Sequence, residues 1–175
     1  WPKTTRPTPS PTLPLTVPGL ANAFLLLFAA ANAPSQTPAE PSAVRCDAVL
    51  TAEEAVAVVG DGYQGPAVDE LRPGFTSCDW QGDGSNFGFT FASLKALADE
   101  QRTADEEFEF DVQALENDTT KREPLPGVGV KAAILPAGED ALAVVVQRAD
   151  GVARMITYKI EREKVLALAR ALATP

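Results

Sequence analysis

Two cysteines constrain this chain more than anything else in it. Cys46 opens the stretch RCDAVLTAEEAVAVVG, and Cys78 lies 32 residues later in TSCDW. Two cysteines in an exported chain most simply pair with each other. Joined, they would tie a short helix and a glycine-rich segment to whatever element carries Cys78. Closing a loop of that length contributes about 3 to 4 kcal/mol in the chain-entropy picture.

The residues upstream read as an export signal. Pro and Thr dominate residues 2–18, with basic Lys3 and Arg6, and residues 20–31 are almost wholly apolar. Ala31-Asn32-Ala33 fits the small-x-small cleavage rule. Pro34 disfavours a cut after Ala33, which leaves Ala31 as the alternative final residue. Residues 1–33 are therefore predicted to be a leader. The apolar run is about 12 residues, against roughly 20 needed to cross a bilayer, so no stable membrane span is expected. Residues 34–43, PSQTPAEPSA, read as a Pro/Ser linker, and residues 44–175 as a single domain. Lipidation of Cys46 does not fit, because Arg45 stands where a small residue is required and the apolar run is too far upstream.

All 24 acidic residues follow Ala33, but only 13 of the 15 basic ones do, a net of −11 for that part. Nucleic acid is excluded as a partner, since phosphates demand clustered Lys and Arg. Anionic membrane surfaces are disfavoured for the same reason. The plain role of such a charge is solubility.

Hydrophobic periodicity predicts the order α-β-β-α-β-β-β-α. Thr51 with Glu54 three residues on makes a capping box for a helix that ends at Gly60. Residues 61–74 read as a loop with at most one short edge strand. Residues 75–81 and 86–92 form a hairpin across Gly82-Asp83-Gly84-Ser85, with Phe87, Phe89 and Phe91 alternating on one face. Leu94, Leu97, Ala98 and Gln101 keep helical spacing, but Phe108, Phe110 and Val112 alternate, so residues 105–118 are open between helix and strand. Residues 130–135, 141–147 and 152–160 read as a three-stranded meander, and 161–173 as a helix with Val165, Leu166, Leu168, Ala169 and Leu172 inward. The fold class is α+β, an antiparallel sheet with helices on one face.

Residues 46–173 resemble a group of small exported bacterial proteins of unknown function, of which actinobacterial lipoproteins of the DUF3558 type are the best-known members. The resemblance rests on Cys46, Leu50-Thr51, Glu53-Glu54 leading to Val58-Val59-Gly60, Cys78 with Trp80, Pro126-Gly127-Val128-Gly129, and a closing Ala/Leu helix. The chain departs from that pattern in lacking the lipobox cysteine and in having Val130-Lys131 where an acidic residue often follows the G-x-G. The resemblance implies the fold, a disulfide and export. It carries no catalytic residue over.

Chemistry-bearing patterns are sparse. The chain has no histidine, which removes the Ser-His-Asp triad and most catalytic zinc sites. Paired cysteines leave no thiolate. Gly60-x-Gly62 and Gly82-x-Gly84 lack the context of a phosphate loop. Carboxylates remain: Asp79 and Asp83 flank the hairpin turn, and Asp99, Glu100, Asp105, Glu106, Glu107, Glu109 and Asp111 form an acidic block. A held pair could hydrolyse a glycoside, but such a run reads first as a solvated face. The Asp83-Gly84-Ser85-Asn86 turn lacks the alternating ligands of a calcium loop. No catalytic residue, metal or cofactor is expected. Tyr63, Trp80 and the loop from Gly60 to Gly74 are the candidate binding surface, because the disulfide tethers that loop beside the first strand. The function expected is a non-enzymatic binding or interaction module of the bacterial cell envelope or periplasm. Its partner would be an unidentified envelope protein or small ligand. The alternatives are an envelope hydrolase using acidic residues and an accessory subunit of an envelope complex.

Overall fold

The computed structural model describes residues 45–117 and 119–174. The expected leader (1–33), the linker (34–43) and the domain boundary at 44 lie outside the described residues. A 3-10 turn, Cys46–Ala48, leads into α1 (Ala52–Val59). The capping box forms as read: Thr51 Oγ1 accepts from the Glu54 N–H at 3.1 Å, and the Glu54 carboxylate accepts from the Thr51 N–H at 2.9 Å. Gly60 then ends the helix at φ 109°, where a side chain would be strained.

Three strands follow, β1 (Gln64–Arg72), β2 (Phe75–Gln81) and β3 (Asn86–Ser93). Two helices come next, α2 (Leu94–Asp99) and α3 (Ala104–Gln113). The short β4 (Glu123–Pro124) precedes the meander β5 (Lys131–Gly138), β6 (Ala141–Gln147) and β7 (Gly151–Tyr158), and α4 (Arg162–Ala173) closes the chain. The strands form one antiparallel sheet in the order β1-β2-β3-β7-β6-β5-β4. The β3–β7 pairing, with Phe89 opposite Met155, joins hairpin to meander.

The fold is α+β with an antiparallel sheet, as expected. Two details differ from the sequence reading. Residues 61–74 are not mainly loop but carry the nine-residue β1, whose pairing with β2 is interrupted by irregularities near each end. A strand paired on one side only, with Pro66 and Asp69 on it, has little apolar alternation to announce it. Second, helices cover both faces. On one face α1 and α4 pack against Trp80, Phe87, Phe89, Ile134, Val144 and Met155. On the other, Leu97 of α2 with Phe108 and Val112 of α3 packs against Ala133, Leu135, Val145 and Val152. The continuous apolar runs 132–135 and 143–146 follow from this, because central strands sealed on both sides cannot alternate.

The disulfide joins Cys46 to Cys78 with Cα atoms 5.9 Å apart, fixing the turn before α1 to the middle of β2. Arg148, just past β6, is the other clamp on that face. Its wholly buried guanidinium donates to the Val49 carbonyl at 3.0 Å, the Leu172 carbonyl at 2.8 Å and both carboxylate oxygens of Asp150. Leu172 is buried as expected, whereas Leu166 is only half-buried because α4 turns that position toward its flank. Among the described residues no helix is long and apolar enough to cross a membrane.

Candidate functional site

Helices α2 and α3 cover only part of their face of the sheet. Among the described residues no helix lies over the rest, formed by β1, β2, β3 and part of β7, and two adjoining hollows open there. One, of about 350 Å³, lies between α3 and the sheet and is lined by Leu71, Phe75, Thr90, Phe110, Asp111 and Arg154 among others. The second, of about 240 Å³, runs across the sheet over Ser77, Asp79, Asn86, Gly88, Thr90 and Ile156. Thr90 and Arg154 line both.

Residue types on this surface follow from strand alternation. Phe87, Phe89 and Phe91 point to the sealed face, so Asn86, Gly88 and Thr90 point to the open one. Asp79 is the cross-strand neighbour of Gly88. It lies flat on the sheet, taking a hydrogen bond from Ser77 Oγ at 3.2 Å, and a Cβ at position 88 would collide with its carboxylate. Gly88 thus creates the shallow floor that Asp79 fills.

The wall comes from α3, which decides the choice between helix and strand that the sequence leaves open. Residues 104–113 are helix, started by a second capping box in which Thr103 Oγ1 accepts from the Glu106 N–H at 3.2 Å and the Glu106 carboxylate accepts from the Thr103 N–H at 2.8 Å. The acidic block is not uniformly solvated. Asp99, Glu100, Asp105 and Glu106 are exposed and Glu109 is partly so, while Glu107 and Asp111, four residues apart on one stripe, are buried at the groove. Glu107 pairs with Arg102, and Asp111 Oδ1 lies 3.2 Å from Arg154 Nη1 on β7. Burial pushes both carboxyls above their ordinary range. The Asp111 charge raises Glu107 further, and arginines oppose the rise at each. Arg154 Nε is buried and has no hydrogen-bond partner among the described residues.

Two other arginines frame the groove. Arg72 lies over the Phe75 ring at 3.8 Å and pairs with Glu100 at 3.2 Å, and Arg102 lies over Phe110 at 4.8 Å. Phe110 and Leu71 at the rim are each 59% exposed, and both line the same hollow. On the outer side of α3, Glu109 and Glu116 both hold Arg122, whose hydrogen bonds bring Glu116 down to about 2. That network ties Arg122 to the end of α3 and faces away from the groove's buried pair.

Of the expected binding surface, Trp80 is corrected outright. It is wholly buried, stacked on Phe87 at 4.7 Å, and presents no surface to a ligand, because the disulfide draws its strand under α1. Tyr63 is half-buried and its hydroxyl is bonded to Ser85 Oγ at 2.6 Å, where it braces the hairpin turn. The 60–74 segment nonetheless reaches the groove through Leu71 and Arg72. Its other hollow, about 390 Å³ beside Cys46, Pro66 and Val68, has only the mutually paired Arg45 and Asp47 as charged groups. Asp83 stays in the exposed turn. Among the described residues no three potential ligands converge for a metal. Comparison with protein-family models, with curated proteins and with solved structures found no match.

Proposed function

We propose that this chain is an exported envelope or periplasmic binding module that recognises its ligand on the open half of the sheet and performs no chemistry on it. The observation that carries the reading is the coincidence, on one uncovered surface, of exposed Phe110 and Leu71 with a floor of ordered polar groups around Arg154 and Asp79. A buried disulfide suits an oxidising compartment. The resemblance to small exported bacterial proteins points the same way. An accessory subunit of an envelope complex would use the same surface toward a fixed partner.

One observation favours the hydrolase as a second reading: Glu107 and Asp111 are neighbouring carboxyls with raised pKa values beside a cleft, the usual mark of acid–base machinery. Their pairing argues the other way. Each is held through one oxygen by its own arginine, an arrangement that fixes α3 to its neighbours.

Isotope-labelled oxidised chain, mixed with separated peptide, polysaccharide and small-molecule fractions of a bacterial envelope, tests both. Binding should shift the amides of Thr90, Phe110, Asp111 and Arg154, with no new products released. Shifts confined to Asp105, Glu106 and Glu109 would contradict the groove. Product release abolished by Glu107→Gln or Asp111→Asn would establish the hydrolase instead.

A further inference from the structure

The charges of the groove are already spent on one another. Arg72 pairs with Glu100, Arg102 with Glu107 and Arg154 with Asp111. An anionic ligand could draw Arg102 or Arg154 only from a buried carboxylate, which is costly, and Arg72 only from Glu100 and the Phe75 ring. It would also meet Asp79 on the floor. A cationic ligand would seek aromatic faces, but the guanidinium groups beside Phe75 and Phe110 would repel it, whereas they do not repel an uncharged one. The groove is therefore poor at rewarding net charge of either sign.

It retains hydrogen-bonding groups in fixed positions. Asp79 is an acceptor held by Ser77. Arg154 is anchored through Nη1 to Asp111, and its side chain, 31% exposed, lines both hollows. Asn86 and Thr90 add an amide and a hydroxyl at half-buried positions along the same strand face. Beside these polar groups stands the exposed ring of Phe110, with Leu71 next to it. A ligand matched to this surface is uncharged, carries many hydroxyls that both donate and accept, and has an apolar face to lay on an aromatic ring. The two hollows meet at Thr90 and Arg154, so a ligand of linked units can occupy both.

We propose that the open half of the sheet binds a neutral oligosaccharide, with one sugar against Phe110 and Leu71 and the next over Gly88 between Asp79, Asn86 and Thr90. This rests on the binding-surface reading above and names its ligand class. Holding the arginines and carboxylates in pairs turns them into neutral, rigid hydrogen-bonding partners, which limits the ordering cost of binding.

The test is amide chemical-shift titration of the oxidised full chain. The neutral probes are maltotetraose, cellotetraose, mannotetraose and chitotetraose, with tetragalacturonate and tetra-alanine as anionic and peptide comparators. At least one neutral sugar should give saturable shifts at Thr90, Phe110 and Arg154. Its affinity should be nearly unchanged between about 0.01 and 1 M salt, a range over which the screening length falls roughly tenfold. Phe110→Ala and, separately, Leu71→Ser should keep the fold, both sites being exposed, and Phe110→Ala should weaken binding about tenfold. Failure of all four neutral sugars to shift the groove overturns the glycan inference. If tetragalacturonate or tetra-alanine shifts it instead, the binding-surface reading stands alone. If no probe and no envelope fraction shifts it, both fall.

Discussion

Each face of the sheet has its arginine, and the two live differently. Arg148, on the face sealed by α1 and α4, is wholly buried and donates to two backbone carbonyls and to Asp150. Arg154, on the face only partly covered by α3, has a side chain 31% exposed, one ion pair and an unmatched Nε. The first joins the turn before α1, the end of α4 and the sheet, and its donors are used up on the fold. The second leaves part of its side chain open to two hollows. The contrast separates a face that holds the protein together from one that is available to something else.

Substitutions should separate the faces most sharply in stability. Arg148→Met leaves two buried carbonyls without their donor, and denaturant unfolding should show a loss of about 3 to 5 kcal/mol. Arg154→Met leaves buried Asp111 without its partner, but that carboxyl, already raised, can take up a proton, and the loss should be smaller, about 1 to 2 kcal/mol. Equal costs would erase the distinction. On the sealed face Phe89→Ala, beneath Trp80, should cost about 3 to 5 kcal/mol, while Phe110→Ser on the open side should stay within about 0.5 kcal/mol.

The open side should also carry a distinct pH signature. The raised carboxyls of Glu107 and Asp111 mean that the folded chain holds protons there after the unfolded chain has released them. Their contribution is fully present below the ordinary values of 4.5 and 3.8, and stability falls as pH rises through the elevated folded values. The lowered Glu54, Glu106, Glu109 and Glu116 act oppositely, and their contribution is lost on acidification. The double variant Glu107→Gln/Asp111→Asn should therefore lose less stability than the parent as pH rises from about 4 toward neutrality. An identical slope in the two proteins would show that the pair does not titrate in the folded state as described.

The sealed face was the legible one. The Thr51–Glu54 box, the Phe87–Phe89–Phe91 alternation, the cysteine spacing and the stripe of α4 are local patterns that mean what they spell. The open face was hard to read because its residues answer to distant partners. Asp111 looks solvated in an acidic run until Arg154, 43 residues on, is placed against it. Phe110 breaks the helical period because it faces the groove while Phe108 and Val112 face the core, and the three together imitate a strand. One local signal could have decided the element: Thr103 with Glu106 repeats the capping-box spacing of Thr51 with Glu54. Trp80 misled in the opposite sense, since an aromatic next to a disulfide strand reads equally well as a binding residue or as core.

The most direct measurement of the two-faced sheet is solvent paramagnetic relaxation on the assigned, oxidised chain with a soluble, uncharged probe. Strands β3 and β7 offer adjacent residues that point opposite ways, so each strand supplies its own control. The side-chain protons of Thr90 and Ile156 should relax strongly, and those of Phe89 and Met155 weakly. Equal protection of all four would mean that the outer half of the sheet is covered in solution, and would contradict the account.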